Sequence, residues 1–379
     1  MKLSCLQENL DRGLSIVSRA VPAKSTLPVL GNVLLATDQG RLKLAATNLE
    51  VAISCWIGAK IEDEGTITVP ATLLAEFVRS LPNDRIDLSL SARTRTLNLR
   101  CARFEANIKG IDAEEFPSIP SIGDGLRISV DAETLHESIT QVAFAAASDE
   151  SRPVLTGVLV AFSGESLTMV AADGFRMAVK TAALASPSPE EASIIVPARA
   201  LRELARIVAD SQESVEISVT PTRNQALFKI GNVELVSRLI EGEFPAYKRI
   251  IPPPSPNRVV VSTGEFLNAN RVAAIFARDN SNIVRFQFTP GEEGLTPGKM
   301  TISATSAEVG DNVGEIDANI VGQPPQIAFN SRYVDELLRV LEKSSQLSLE
   351  VTSSSSPGTF RPVGDDGYLH IIMPMHTNR

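Results

Sequence analysis

Arginines recur at helical spacing in this sequence. Arg199, Arg202 and Arg206 follow an i, i+3, i+7 pattern, which places them on one face of a helix with Leu201 and Leu204 on the opposite face. Guanidinium groups arranged in this way can contact the phosphates of a nucleic acid without reading its bases. The alternative is an ordinary solvated helix face, which explains any single helix equally well.

Repetition of this pattern favours the phosphate interpretation. Arginines seven residues apart occur in three other predicted helices, at Arg12/Arg19, Arg271/Arg278 and Arg332/Arg339. The chain as a whole is acidic, with 36 Lys and Arg against 45 Asp and Glu and a net charge of −9. Basic residues slightly outnumber acidic ones only in the predicted helices, so these are where a polyanion would be contacted.

Residues for catalysis or metal binding do not form a recognisable pattern. GxSxG, GxGxxG and P-loop motifs are missing, and no histidine is spaced for a shared metal with a second His or Cys: His136, His370 and His376. The three cysteines are far apart, which fits a reducing compartment: Cys5, Cys55 and Cys101. We therefore predict no enzymatic activity, no metal and no cofactor. An enzyme using Asp173 and Arg176 at a domain junction is the rival interpretation.

The elements that carry these arginines are repeated along the chain. Ile67–Leu81, Ile194–Val208 and Ile327–Leu341 each read as a short strand followed by an amphipathic helix. Glutamate occupies one position of all three copies and arginine follows three residues later, as Glu76/Arg79, Glu203/Arg206 and Glu336/Arg339. The spacing is domain-sized, far longer than the ~20–50 residues of solenoid repeats, so one fold is used three times.

Each copy reads as helix, strands, helix, strands. The predicted helices are Asn9–Ala20, Ala71–Leu81, Glu133–Ala147, Ala198–Ala209, Glu265–Arg278 and Ser331–Lys343. Alternating strands in hairpin succession favour antiparallel sheets with the helices on one face. The predicted fold is α+β, with three domains at 1–122, 127–252 and 257–379 separated by Pro- and Gly-rich connectors. Neither a signal peptide nor a membrane-length apolar run is visible, so we expect a cytoplasmic protein without membrane contact.

The repeats resemble the bacterial sliding clamp family, the beta subunits of DNA polymerase III, over essentially the whole chain. The resemblance rests on four segments: Thr26–Asn32, Ala172–Ala178, Phe244–Tyr247 and Ile371–Met375. It implies a head-to-tail homodimer that closes into a ring of six similar domains around duplex DNA. It also implies a processivity factor that binds DNA by topology, so a mildly basic lining in an acidic body is expected.

The resemblance assigns residues to three surfaces. DNA-facing residues are Lys24, Arg79, Arg152, Arg199, Arg202, Arg206, Arg271, Arg278, Arg332 and Arg339. A hydrophobic groove for short peptides comprises Leu155, Ala172, Gly174, Phe175, Arg176, Met177, Pro245, Ile250, Ile371, Met373, Pro374 and Met375. The dimer interface pairs an edge strand with a helix through Ala106, Ile108, Ile275 and Phe276.

The implied groove partners are DNA polymerase III, the clamp loader and other proteins that carry clamp-binding peptides. Flexible methionine side chains such as Met373 and Met375 suit a groove that accepts several ligands. This chain has Pro153 and Val154 where some relatives have an aromatic pair, and the tail at 376–379 extends past the groove. A monomeric three-domain scaffold that uses the same groove without a ring is the remaining alternative.

Overall fold

Six α-helices are present in the computed structural model, which describes residues 1–120, 125–209, 211–291 and 296–376. They are α1 (Gln7–Val17), α2 (Ala71–Ser80), α3 (Ala132–Val142), α4 (Ala198–Val208), α5 (Thr263–Ala277) and α6 (Ser331–Val340). The predicted positions are confirmed to within a few residues. The predicted first and third helices end in 3₁₀ turns, at Ser18–Ala20 and Ala143–Ala145, rather than continuing as α-helix.

Polar side chains mark where several of these helices begin. The Asn330 Oδ1 atom accepts a hydrogen bond from the Arg332 backbone N–H at 3.0 Å, which satisfies a free donor at the start of α6. Asp131 does the same before α3, where its carboxylate accepts from the Thr134 N–H at 2.9 Å.

Strands follow a similar order in three consecutive segments. The first segment holds β1 (Lys2–Leu6), β2 (Asn32–Asp38), β3 (Arg41–Thr47), β4 (Val51–Gly58), β5 (Lys60–Asp63), β6 (Thr66–Pro70), β7 (Arg85–Ser91), β8 (Thr96–Cys101) and β9 (Phe104–Lys109). The second holds β10 (Leu126–Val130), β11 (Gly157–Ser163), β12 (Ser166–Ala172), β13 (Arg176–Ala183), β14 (Ala192–Pro197), β15 (Val215–Val219), β16 (Gln225–Ile230) and β17 (Val233–Arg238). The third holds β18 (Arg258–Ser262), β19 (Ile283–Thr289), β20 (Gly298–Ser306), β21 (Gly310–Val321), β22 (Ile327–Asn330), β23 (Gln346–Glu350), β24 (Gly358–Pro362) and β25 (Tyr368–Ile372).

The strands form three antiparallel sheets in the described residues. Their spatial orders are β5-β1-β7-β8-β9, β10-β15-β16-β17-β4-β3-β2-β6 and β14-β11-β12-β13-β25-β24-β23-β18-β21-β20-β19-β22. The two larger sheets each join strands from neighbouring segments, through β17 with β4 and through β25 with β13. The last strand of one repeat therefore extends the sheet begun by the repeat before it.

The chain forms two compact units that do not follow the three repeats. Unit 1 comprises Met1–His136, Ser188–Glu190 and Glu203–Leu239, and unit 2 comprises Glu137–Pro187, Glu191–Arg202 and Ile240–Arg379. The middle repeat is divided because its two groups of strands belong to different sheets. The three-domain boundaries at 1–122, 127–252 and 257–379 stay a prediction, and their ends at 122 and 379 lie outside the described residues.

Alternating side chains bury one face of each sheet. In β3, Leu42 and Leu44 are fully buried whereas Arg41 and Lys43 are partly exposed. The single tryptophan, Trp56, packs on this outer face in unit 1, with the Lys43 Nζ atom 4.8 Å from its ring centre. Its indole N–H donates to the Asp38 Oδ2 atom at 2.7 Å.

Candidate peptide groove and basic helix faces

The predicted groove residues meet where β13 pairs with β25 in unit 2. Met177 lies opposite both Ala172 and Ile371 in the sheet. Met177 and Ile371 belong to a buried apolar cluster with Val170, Val179 and Leu369. Apolar side chains from three elements thus form a continuous floor.

Exposed apolar side chains border this floor. Phe175 is 59% exposed, Ile250 is 48% exposed and Met373 is 40% exposed. The Met373 N–H donates to the Phe175 carbonyl at 2.8 Å, so the end of β25 is tied to the β12–β13 turn. A buried floor with an exposed apolar rim is the arrangement that a short hydrophobic peptide requires.

Three residues that the sequence did not assign also contribute to this surface. Phe244, Tyr247 and Ile251 pack against the buried cluster from the segment that follows β17. The predicted residues Pro245 and Ile250 lie in the same segment, where the Ile250 N–H donates to the Tyr247 carbonyl at 2.9 Å. Phe244 and Tyr247 are the two ends of the segment Phe244–Tyr247, which the sequence analysis used only as part of the family resemblance.

The β12–β13 turn has a backbone conformation that needs glycine. Gly174 has a φ of +94°, and a Cβ atom there would lie 2.9 Å from the Arg152 guanidinium. Arg152 itself donates to the Asp173 carbonyl at 3.0 Å. The Asp173 carboxylate accepts from the backbone N–H groups of Phe175 and Arg176, which closes the turn.

Arg176 is held inside unit 2 and does not project into solvent. Its guanidinium is ion-paired with Asp173 and with Glu336 of α6, and it donates to the Phe144 carbonyl at 2.9 Å. It also stacks on the Tyr333 ring, 4.5 Å from the ring centre. Burial and the nearby Asp173 carboxylate raise the pKa of Tyr333. The structure therefore gives Arg176 a supporting position beneath the turn.

A buried aromatic cluster lies beside Arg176. His370 is fully buried, stacks on Phe144 at 5.4 Å between ring centres, and lies 3.3 Å from the Tyr368 hydroxyl through its Nδ1 atom. Burial, with a smaller contribution from the Arg176 charge, lowers the pKa of His370 to about 3. The imidazole is therefore neutral at physiological pH.

The remaining predicted groove residues are Leu155, Pro374 and Met375. Leu155 is buried and accepts from the Ala147 N–H, whereas Pro374 and Met375 are partly exposed. The Met375 N–H donates to the Ala328 carbonyl at 2.8 Å, which fixes the chain after β25. Residues 377–379 of the predicted tail lie outside the described residues.

All ten predicted DNA-facing cations are exposed. They are Lys24, Arg79, Arg152, Arg199, Arg202, Arg206, Arg271, Arg278, Arg332 and Arg339. Four of them, Arg271, Arg278, Arg332 and Arg339, line one open cleft of about 380 Å³ between α5 and α6 in unit 2. Arg202 also donates to the Ala143 carbonyl at 2.8 Å. On α4, the arginines are exposed and Leu201, Leu204 and Val208 are buried, as the sequence predicted.

The predicted interface residues lie on β9 in unit 1 and α5 in unit 2. Ile275 is 56% exposed, whereas Phe276 and Ala106 are partly buried and Ile108 is buried within its own sheet. Phe104, which the sequence analysis did not assign, is the exposed apolar residue of β9.

Neither a metal site nor a membrane helix was found in the part of the chain that the structure describes. No group of three or more His, Cys, Asp or Glu side chains is arranged to hold a metal ion in the described ranges. Within those same ranges, no helix combines the length and apolar character needed to cross a bilayer.

The sequence matches three family models in succession. They describe the N-terminal, central and C-terminal domains of the DNA polymerase III beta subunit and cover residues 1–120, 129–246 and 248–376. A beta sliding clamp from Synechococcus elongatus is 34% identical over 378 residues, and one from Bacillus subtilis is 30% identical over 387 residues. The alignments cover 99% of both chains in the first case and 100% of both in the second.

Solved structures of sliding clamps have the same fold. The clamp from Bacillus subtilis superimposes with a TM-score of 0.92 at 29% identity, and each chain is fully covered. The DNA polymerase III beta subunit from Thermotoga maritima gives 0.91 at 28% identity, again with full coverage. A clamp from Pseudomonas aeruginosa bound to griselimycin gives 0.91 at 28% identity, also with full coverage of both chains.

Proposed function

Because the chain belongs to the DNA polymerase III beta subunit family and is, as a beta sliding clamp, a DNA polymerase processivity factor, we propose that two copies close head to tail into a ring around duplex DNA. The ring acts in the cytoplasm, catalyses no reaction, and holds DNA by topology without sequence specificity. Each copy would contribute three domains, at 1–122, 127–252 and 257–379, so the closed ring would contain six similar domains.

The order of strands at the sheet junctions is the observation that carries this proposal. β17, the last strand of the second repeat, pairs with β4 of the first, and β25 of the third pairs with β13 of the second. The corresponding strands β9 and β21 are still available, because within the described residues β9 pairs only with β8 and positions 310–317 of β21 pair only with β20. The same junction between two copies would join β9 to β21 and remove both open edges.

Apolar side chains beside the two open edges support the same junction. Phe104 is exposed on β9, and Val313 is exposed on β21. α5 packs against β20 and β21 and exposes Val272 and Ile275. Burying these side chains between copies would supply the hydrophobic part of the interface.

The oligomeric state tests this interface. We expect the protein to sediment with the mass of two 40.6 kDa chains, and Ile275→Asp to sediment as one chain because a buried charge opposes association. Val363→Asp, which adds the same charge at an exposed valine of unit 2 away from β21, is the matched control and should remain dimeric. A wild-type monomer well above micromolar concentration would contradict the ring and favour the monomeric scaffold.

Retention on DNA tests the topology. The exposed basic faces of the helices support a sequence-independent contact with phosphates. A ring loaded on nicked circular duplex should stay bound at high salt and be released when the DNA is linearised. Equal loss from circular and linear DNA would contradict encirclement.

The apolar groove of unit 2 is proposed to bind short peptides of DNA polymerase III, the clamp loader and other partner proteins. The combined substitution of Met373→Ala and Met375→Ala should weaken binding of a hydrophobic clamp-binding peptide about tenfold, since it removes adaptable contact area. Fluorescence anisotropy measures this affinity.

Unit 1 offers a matched control for that experiment. Arg238 occupies the position of Met373 at the other junction, where its N–H donates to the Glu50 carbonyl at 2.9 Å. Arg238→Ala should leave peptide affinity unchanged. An unchanged affinity in the double methionine variant would remove the groove assignment without affecting the ring.

A further inference from the structure

We propose that three carboxylates on the helices, Asp11, Glu203 and Asp335, weaken the hold of neighbouring DNA-facing arginines on phosphate and so keep the ring mobile on DNA. This inference rests on the proposed function, because it assumes that these helix faces meet the duplex. On these helix faces only the positively charged residues have been considered so far, and the inference gives the carboxylates beside them a role.

Asp335 of α6 engages two of the predicted DNA-facing arginines. Its Oδ1 atom lies 3.2 Å from the Arg271 Nε atom on α5, and its Oδ2 atom lies 2.6 Å from the Arg339 Nε atom one helical turn away. The Asp335 side chain is 20% exposed, whereas the two arginines are 49% and 60% exposed. The carboxylate therefore lies at the base of the α5–α6 cleft, with the guanidinium groups above it.

Glu203 of α4 has the same relation to its arginines. Its carboxylate lies 2.7 Å from the Arg206 Nη1 atom and 3.7 Å from the Arg19 Nη1 atom. Its side chain is 17% exposed against 59% for Arg206. The Glu203 Oε2 atom, which faces Arg19, is buried without a hydrogen-bond partner in the described residues, so that guanidinium compensates its charge.

Asp11 of α1 completes the set by facing Arg79 of α2 at 3.7 Å. Arg79, Arg206 and Arg339 occupy one repeated sequence position, yet their acidic partners come from three different positions. The equivalent arginine is thus paired with a carboxylate in every repeat, although the acidic residue lies at a different sequence position each time. Recurrence of the pairing without recurrence of the acidic residue indicates that the pairing itself matters.

The electrostatic consequence follows from competition. A guanidinium already paired with a carboxylate gains less from a phosphate, because it must share its donors and its charge is partly neutralised. Each arginine freed from its carboxylate would release about one more counterion from duplex DNA and steepen the salt dependence by about 0.9. A ring held by topology needs attraction weak enough to exchange phosphates quickly as it moves.

Among the described residues, the cleft contains both paired and unpaired arginines, whose contributions to DNA binding can be compared. Arg278 and Arg332 line it with Arg271 and Arg339 but pair with no carboxylate in the described part of the chain. Arg332→Ala should therefore reduce affinity for DNA more than Arg339→Ala does. Equal losses would argue against any effect of Asp335 on phosphate binding.

The decisive experiment measures binding of the full-length protein to a linear fluorescent duplex between about 50 and about 200 mM salt. Asp335→Asn should bind about two- to fivefold more tightly at the low end, because freeing exposed ion pairs is a small effect. Its salt slope should be steeper by up to about two, since Asp335 pairs with two arginines and both are freed. The same variant, loaded on long DNA, should diffuse more slowly in single-molecule tracking. Asp87→Asn is the matched control, since Asp87 pairs with Arg85 at 3.1 Å on strand β7, away from the helices.

The outcomes separate the inference from the function it rests on. An unchanged slope in Asp335→Asn with a lowered melting temperature would make Asp335 a brace between helices and overturn the inference. Equal shifts in Asp335→Asn and Asp87→Asn would reduce the effect to net charge and also overturn it. A wild-type protein that binds no duplex even at low salt would overturn the proposed function as well.

A second pair of variants covers the case in which Asp335→Asn does not fold. Glu203→Gln should tighten binding in the same way, and Glu62→Gln, which removes an exposed strand carboxylate 2.7 Å from Lys2, should not.

Discussion

Two turns in this molecule have the same backbone and different side chains. In unit 2, the Asp173 carboxylate accepts from the N–H groups two and three residues ahead, and in unit 1 the Asn48 Oδ1 atom accepts from those of Glu50 and Val51 in the same way. The residue after each is left-handed, with φ of +94° at Gly174 and +75° at Leu49. The turn is therefore shared by two copies of the repeat, whereas the predicted apolar groove lies beside only one of these two turns.

The strands that follow these turns differ more sharply. Both extend into a junction with a later repeat, but buried positions filled by Arg176, Lys180 and His370 in unit 2 correspond to Val51, Cys55 and Leu235 in unit 1. Polar groups inside a junction fix its geometry only if each one finds a partner. Arg176 and Lys180 meet this condition through their ion pairs, whereas the Nε2 atom of His370 has no hydrogen-bond partner among the described residues. The junction beneath the predicted groove in unit 2 is therefore held by two buried cations and their carboxylate partners, and the equivalent junction of unit 1 by apolar packing.

Among the substitutions that distinguish the two junctions, removal of Arg176 should have the largest effect on the free energy of unfolding. Arg176→Leu leaves Asp173, Glu336 and the Phe144 carbonyl without their donor, and we expect unit 2 to lose about 3 kcal/mol of unfolding free energy. Leu235→Met, a volume-conserving change in the equivalent junction of unit 1, should lose less than about 1.5 kcal/mol. Urea unfolding followed by circular dichroism measures both, and equal losses would mean that the network has no special role.

Acid should distinguish the two junctions through His370. Its pKa of about 3 in the fold lies below the ordinary value near 6.5, so the unfolded chain binds the proton first and stability falls as pH drops below 6.5. Between pH 7.5 and 5.5 we expect His370 to account for a loss of about 1.4 kcal/mol. His370→Leu, which copies the residue of unit 1, should unfold with that part of the pH dependence removed. Identical pH profiles for the wild type and this variant would refute the assignment.

The smallest expected effect concerns the turn of unit 1. Leucine is strained in the left-handed region, where asparagine is tolerated, so Leu49→Asn should raise the free energy of unfolding by about 0.5 kcal/mol. Gly174→Ala should lower it by about 1 kcal/mol, because the new Cβ meets the Arg152 guanidinium in a backbone conformation that disfavours alanine. Urea unfolding checks both signs, and a loss of stability in Leu49→Asn would show that Leu49 packs usefully.

Local patterns in the sequence were sufficient for the helices and for the repeat. The spacing of Leu201 and Leu204 against Arg199 and Arg206 is set within two helical turns, so α4 follows from its own residues. The same holds for the order of strands inside each copy. The partners of β4 and β13 were beyond this reasoning, because each pairs with a strand that lies far away along the chain.

Side-chain partners in the site were also beyond the sequence. Glu203 and Glu336 occupy one repeated position three residues before an arginine, yet only Glu203 pairs with that arginine, whereas Glu336 pairs with Arg176. Arg176 was assigned to the groove by resemblance, and its burial beneath the turn depends on Phe144 and Tyr333 from distant segments. Such choices are made by tertiary packing, which a repeat pattern does not encode.

The position of Trp56 has a practical consequence for spectroscopy. It is the only tryptophan in the chain, it belongs to unit 1, and its partly buried indole lies against Lys43, Arg41 and Asp38. Emission excited at the red edge of the indole band therefore reports on one unit while the other stays dark. Far-ultraviolet circular dichroism reports on the secondary structure of both units. Comparing it with the tryptophan emission in one denaturant titration will show whether the two units unfold together or one after the other.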